Sequence, residues 1–200
     1  MPDLPFKSSG DKIAFIKSVI KQQKESVDSL MESSKKINPV AQKIKSTHPD
    51  LIFLLVGDGS EKKRLMAIAR NKMLTNVNFQ NFISRDEYIG LLSICDIGLV
   101  SLSPKNETPV VPGKILDYMA AGVPVVAFLQ KNSDGHQIIN SSQCGVAANS
   151  EYPEICLSAF LEFLKAENCF KKIGEAGRIY GENNFTRSTC AGLIKELLTK

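Results

Sequence analysis

Lys114 and Asp117 stand three residues apart in the stretch PVVPGKILDYMAAGVPVVAF, residues 109–128, directly behind Pro112 and Gly113. Residues three apart on a helix share a face. Two kinds of chemistry fit this pair. The bland one is a surface ion pair contributing about 0.2–0.5 kcal/mol. The sharper one gives Lys114, with the free amides and positive dipole end of a helix starting at Gly113, a phosphate to hold, while Asp117 accepts a hydroxyl pair from a ribose. Gly113 lets the backbone approach such an anion closely. His136 is a further candidate, either as a donor to an anion or as an exposed helix-start residue. His48, just before Pro49, reads as a helix-end cap.

Other chemistries are tested by their spacing. Gly113-Lys114 is no phosphate-binding P-loop, because Ile115 stands where Ser or Thr is required and Thr108 where a glycine is required. Gly57-Asp58-Gly59 opens like a dinucleotide fingerprint, but its third glycine position is Lys62. There is no Gly-x-Ser-x-Gly, no His-Glu-x-x-His and no Asp-x-Asp to carry a divalent metal with a nucleotide. No metal and no cofactor are expected.

These residues must be positioned by their elements. Apolar runs of strand length alternate with helix-period segments, the pattern of a parallel sheet covered on both faces. Strands are expected at about 12–18, 51–56, 76–80, 97–102, 123–128 and 145–148. Helices fall at about 27–47, 60–71, 85–95, 113–121 and 136–141, followed by an all-helical run at 152–166, 169–183 and 186–199. Ser84 with Glu87, and Asp58 with Glu61, have capping-box spacing; Asp134 is a third N-cap candidate. Asn38-Pro39 reads as a cap followed by a first-turn proline, interrupting the first helix. The expected fold class is α/β: a Rossmann-like, doubly wound parallel sheet of about six strands with extra C-terminal helices. Ligands of such sheets bind outside the carboxyl ends of the strands, where the loops at 18–26, 57–60, 80–84, 101–113 and 130–135 lie.

Composition bounds the partners. A chain of 200 residues with 43% hydrophobic content suits one globular unit with a sizeable core. The net charge of +4 is spread along the chain. The basic run at Lys35, Lys36, Lys43 and Lys45 reads first as a solvated helix face, and second as a contact for an acidic ligand or membrane headgroups. No nucleic-acid partner is expected. Five cysteines without Cys-x-x-Cys give neither a disulfide framework nor a zinc site, and fit a reducing compartment. No stretch approaches the roughly 20 apolar residues of a membrane span, and MPDLPFKSSG lacks a signal-peptide core. A cytoplasmic location is expected, with association at the inner face of the membrane as an addition.

The residues also carry a resemblance. Leu55-Val56-Gly57-Asp58-Gly59, Asn76-Val77-Asn78-Phe79, Cys95 to Val100, Pro112 to Ala127 and Cys144-Gly145-Val146 resemble the donor-binding, C-terminal domain of retaining GT-B glycosyltransferases, group 1, family-four branch. Order and spacing agree from about residue 12 to the end. The resemblance implies a lead-in at 1–11 and one donor-binding domain over 12–200, with the acceptor held by a separate domain or chain. It implies a UDP- or GDP-linked sugar as donor and a place in polysaccharide assembly. Position by position, Asp117 stands where the second glutamate of the family's Glu-x7-Glu motif contacts the ribose. Gly113 and Lys114 stand at the helix start that meets the donor phosphates, and Phe82 and Ile83 flank the nucleobase. His136 and Gln137 fall near the donor sugar, with Gln137 in place of the usual glutamate.

The departures are specific. The first glutamate position holds Pro109, with Glu107 as a displaced substitute, so Glu107 and Asp117 are the catalytic candidates. Val19 stands where the family has the glycine that ends the first strand, and Glu25-Ser26 replaces the family's Lys-Gly or Gln-Gly before the first helix, leaving Lys24 one place off as a phosphate contact. About eleven residues precede the first strand, so no acceptor domain is expected within the sequence. Two functions follow: a glycosyltransferase donor half, inactive on its own, or a non-catalytic nucleotide-sugar-binding or interaction module of the same fold.

Overall fold

The computed structural model describes residues 12–16, for which only the backbone is considered, together with 41, 43–105 and 111–199. Among these residues six strands form one sheet: β1 (Lys12–Ile16), β2 (Leu51–Val56), β3 (Val77–Gln80), β4 (Ile97–Ser101), β5 (Val125–Leu129) and β6 (Gly145–Asn149). The helices are α1 (Lys62–Asn71), α2 (Arg85–Leu92), α3 (Gly113–Ala120), α4 (Asp134–Ser142), α5 (Pro153–Leu164), α6 (Phe170–Asn184) and α7 (Arg187–Leu198), with a 3-10 turn at Glu167–Cys169. Helical residues at 43–47 precede β2. The expected fold class is therefore met: every pairing is parallel and the strand order is β3-β2-β1-β4-β5-β6. The order reverses between β1 and β4, the switch point of a doubly wound sheet.

Strand periodicity of two divides the core. Phe53, Ile97, Leu99, Val126 and Phe128 face one side, where α5 supplies Cys156, Phe160, Phe163 and Leu164. Phe53 and Phe160 meet with ring centroids 5.9 Å apart. Leu54, Val56, Val100, Val125, Ala127 and Leu129 face the other side, against Tyr88, Leu91 and Leu92 of α2, Ile115, Tyr118 and Met119 of α3, and Ile139 of α4. Gly98 is required on that face, because a Cβ there would come within 2.4 Å of the Tyr118 ring. The helix α3 thus sits directly on the middle of the sheet, and its first turn is fixed at the carboxyl edge.

Several boundaries differ from expectation for identifiable reasons. β5 begins at Val125 rather than residue 123, since Pro124 has no N–H for the ladder. α1 begins at Lys62, and its N-cap Glu61 makes no side-chain cap bond, so Asp58 and Glu61 do not form a capping box. The N-cap of α4 is Ser133, whose hydroxyl accepts from the His136 amide, while Asp134 occupies the first turn. The box at Ser84 and Glu87 is present in both directions. Residues 17–40, with the Asn38-Pro39 cap and most of the first expected helix, lie outside the described residues.

Candidate functional site

Parallel strands deliver the loops after β2, β3, β4 and β5 to one edge. There α3 starts at Gly113, with Pro112 at the N-cap and neither a side-chain cap nor an acidic residue in its first turn. The start of this helix presents free backbone amides and the positive end of the helix dipole. Gly113 is exposed, and open space lies where its Cβ would be. One turn on, the Lys114 ammonium donates to Asp117 Oδ2, a half-buried pair on one face. The Tyr88 hydroxyl of α2 donates to the same oxygen at 3.1 Å, and Lys114 Nζ stands 4.8 Å from the Tyr88 ring centroid. Tyr88 is only 6% exposed. Burial first, then the Asp117 charge and hydrogen bond, push its hydroxyl far above the ordinary tyrosine range, so it remains a neutral donor.

Tyr88 was not among the residues singled out from the sequence. A signal exists: it shares the apolar stripe of α2 with Leu91 and Leu92, and a tyrosine in such a stripe needs a partner for its hydroxyl. Its position follows from the capping box, in which the Ser84 hydroxyl accepts from the Glu87 amide at 3.3 Å and Glu87 Oε2 accepts from the Ser84 amide at 2.8 Å. These bonds hold the Glu87 carboxyl below its usual range.

The loop after β3 is fastened by a second network. Lys62 Nζ donates to Asp58 Oδ1 at 2.7 Å, to the Gln80 carbonyl at 2.9 Å and to Asn81 Oδ1 at 2.7 Å. Asp58 Oδ2 accepts from the Phe82 amide at 2.6 Å. The Lys62 bond and then the Phe82 amide hold the Asp58 carboxyl below 3.8. Asp58, expected as a helix cap, instead ties α1 to the loop that carries Phe82 and Ile83. Phe82 is 73% exposed, whereas Ile83 packs against the cluster containing Tyr88 and Ile115.

The start of α4 closes against the start of α3. A Cβ on Gly135 would lie 2.8 Å from Pro112 Cδ and 3.2 Å from Ile115 Cδ1, so only glycine lets the two helix starts meet. His136 and Gln137 follow in the first turn; Gln137 is exposed. His136 Nδ1 is buried without a hydrogen-bond partner among the described residues. Burial, and then the Lys131 charge, lower its pKa below 6.5, so it brings a neutral ring rather than a cation. The structure thus brings Gly113, Lys114 and Asp117 together with Tyr88, and places His136 and Gln137 on the adjoining helix. Lys24 and Glu107 lie outside the described residues. Among the described residues, no group of three or more His, Cys, Asp or Glu is arranged to hold a metal ion. No helix of these residues is long and apolar enough to cross a membrane.

Comparison with known proteins bears on the family and the fold. The family model described as "Glycosyl transferases group 1" matches residues 10–166. No curated protein sequence matches the chain. Sucrose-phosphate synthase from Thermosynechococcus elongatus superposes with a TM-score of 0.73 at 16% identity, over 98% of this chain and 46% of that one. Anabaena HepE, solved with UDP and glucose, gives a TM-score of 0.73 at 18% identity, over 96% of this chain and 49% of that one. The C-terminal domain of a group 1 glycosyl transferase (LpcC) from Francisella tularensis gives 0.66 at 15% identity, over 88% and 87%. The chain spans about half the length of the first two. At these identities the likeness is one of fold.

Proposed function

Because the chain belongs to the glycosyl transferases group 1 family, we propose that it binds the diphosphate and ribose of a nucleotide sugar at the carboxyl edge of its sheet, and serves as the donor-binding half of a glycosyl-transfer reaction. The observation that carries this reading is the Lys114–Asp117 pair at the uncapped start of α3. In this reading Lys114 and the first-turn amides of α3 hold the diphosphate, and Asp117 accepts from ribose hydroxyls. Phe82 offers an exposed ring to the base, Ile83 backs it, and His136 and Gln137 stand on the sugar side. Lys24 and Glu107 are carried as a phosphate contact and a catalytic carboxylate on the resemblance alone. The UDP found in Anabaena HepE supports UDP as the first nucleotide to try, and GDP is the alternative. The acceptor is supplied by a separate domain or chain.

Stabilising a leaving diphosphate with a lysine and helix amides needs no bound cation. Calorimetric titration with UDP and GDP is expected to show weak binding to at least one, unchanged by EDTA and lowered about tenfold or more by Lys114→Ala or Asp117→Asn, as for loss of a hydrogen bond to a charged group. Absence of heat at millimolar nucleotide, or undiminished wild-type affinity in both variants, would overturn the proposal. A tenfold fall in EDTA would instead point to a metal-bridged site. The second reading, a binding module that no longer catalyses, is favoured by Pro109 at the position of the family's first glutamate.

A further inference from the structure

Lys114 and Asp117 neutralise each other when no ligand is bound, which poses a problem for any anion that needs the lysine. A diphosphate must draw the ammonium away from Asp117 Oδ2. Asp117 would then be left as a half-buried carboxylate stripped of its counter-charge, free to reorient or to pull Lys114 back. The environment of that oxygen contains the answer. Oδ2 accepts two bonds, one from Lys114 and one from the Tyr88 hydroxyl, whereas Oδ1 has no hydrogen-bond partner among the described residues.

We propose that Tyr88 is a positioning residue of the nucleotide site: its hydroxyl holds the Asp117 carboxylate by Oδ2 so that Oδ1 stays available to ribose, and its ring supports Lys114 as the ammonium passes from Asp117 to the diphosphate. This rests on the nucleotide-sugar reading of the site. A hydroxyl donating to an ionised carboxylate makes a charge-assisted bond, which survives the departure of the ammonium and keeps the side chain in its rotamer. The aromatic face 4.8 Å from Nζ is a second favourable surface for the cation, so Lys114 does not depend wholly on Asp117 for its orientation. The donor is fixed in turn, because Tyr88 is buried between α2 and α3 and follows the Ser84–Glu87 capping box directly. Burial and the neighbouring Asp117 carboxylate raise its pKa, which favours the protonated, donating hydroxyl.

Two functions on one side chain can be separated with the 200-residue chain. Tyr88→Phe keeps the ring and removes the donor; Tyr88→Leu removes both. The probes are UDP, which engages ribose and diphosphate, and inorganic pyrophosphate, which engages only the phosphate side. Tyr88→Phe is expected to weaken UDP about tenfold, the effect of one hydrogen bond to a charged group, and to leave pyrophosphate within about twofold. Tyr88→Leu is expected to weaken both probes. In an Asp117→Asn background, Tyr88→Phe is expected to add no further loss for UDP, because the two residues act through one contact. Equal weakening of UDP and pyrophosphate by Tyr88→Phe, or full additivity with Asp117→Asn, would reduce Tyr88 to a packing residue and overturn the inference. UDP binding by wild type that Tyr88→Phe leaves unchanged would also overturn it while sparing the binding site itself. Failure of wild type to bind either probe would instead bring down the nucleotide reading on which it rests.

Discussion

His136 illustrates how a residue's position changes the chemistry expected of it. From the sequence it is a donor to an anion or an exposed helix-start residue; in the fold its Nδ1 is buried and its pKa is depressed by burial and by Lys131. The unfolded chain binds a proton at this ring below about pH 6.5, whereas the folded chain resists it, so stability is lost as pH falls through that range and is retained above it. Proton NMR is expected to find the His136 ring titrating below 6.5. His136→Gln is expected to flatten the acid side of the stability profile; a midpoint at or above 6.5 would refute the burial argument. Lys114 and Asp117 were legible in the sequence because their relation is local, three positions on one helix. Tyr88 was not, since its contact with Asp117 bridges 29 positions and two helices.

At the scale of elements, the loop after β3 shows what one lysine can organise. Lys62 reaches out of α1 to three oxygens, two of them in residues 80 and 81, and Asp58 completes the tie at the Phe82 amide. Lys62→Met keeps an apolar stem of similar reach and removes all three bonds. Faster amide exchange is expected at residues 81–83, with exchange in β2 and β5 unchanged, because the opening is local. Acid should act in the same direction: the Asp58 carboxyl is held low by Lys62 and Phe82, so its contribution is present above its unfolded pKa and disappears as pH falls through the folded one. Unaltered exchange at the Phe82 amide in Lys62→Met would show that the loop is held by other contacts. The strands and helices themselves were readable from periodicity. The role of Asp58 was not, because its spacing to Glu61 imitates a capping box and only the approach of β3 to β2 decides between the two uses. Gly98 is a similar case, a mid-strand glycine whose reason is the ring of Tyr118 lying across it.

For the whole molecule, the candidate site lies at one edge of the sheet, and two of the solved structures that share this fold are about twice as long as the chain. Transfer requires two substrates held in register, and loss of oriented approach costs on the order of 7 kcal/mol or more. The purified 200-residue chain, incubated with radiolabelled UDP- and GDP-sugars and simple or lipid-linked acceptors, is therefore expected to give no detectable transfer. Addition of a cognate acceptor domain or chain is the condition under which activity should appear. Robust transfer by the chain alone would mean that helices after β6, or a second copy, complete an acceptor site.

The strand order has a consequence for how the molecule is made. β1 is the first of the described strands but lies inside the sheet, paired to β2 through Ala14 and Phe53 and to β4 through Ala14 and Ile97. A ribosome therefore delivers the centre before either flank. At about 5–20 residues per second, roughly 4–17 s separate the emergence of residue 14 from that of residue 97. During this interval β1 can pair with β2 and β3 while its other edge, destined for the interior, stays open to any passing strand. The most protected seam of the finished sheet is the most vulnerable one during synthesis.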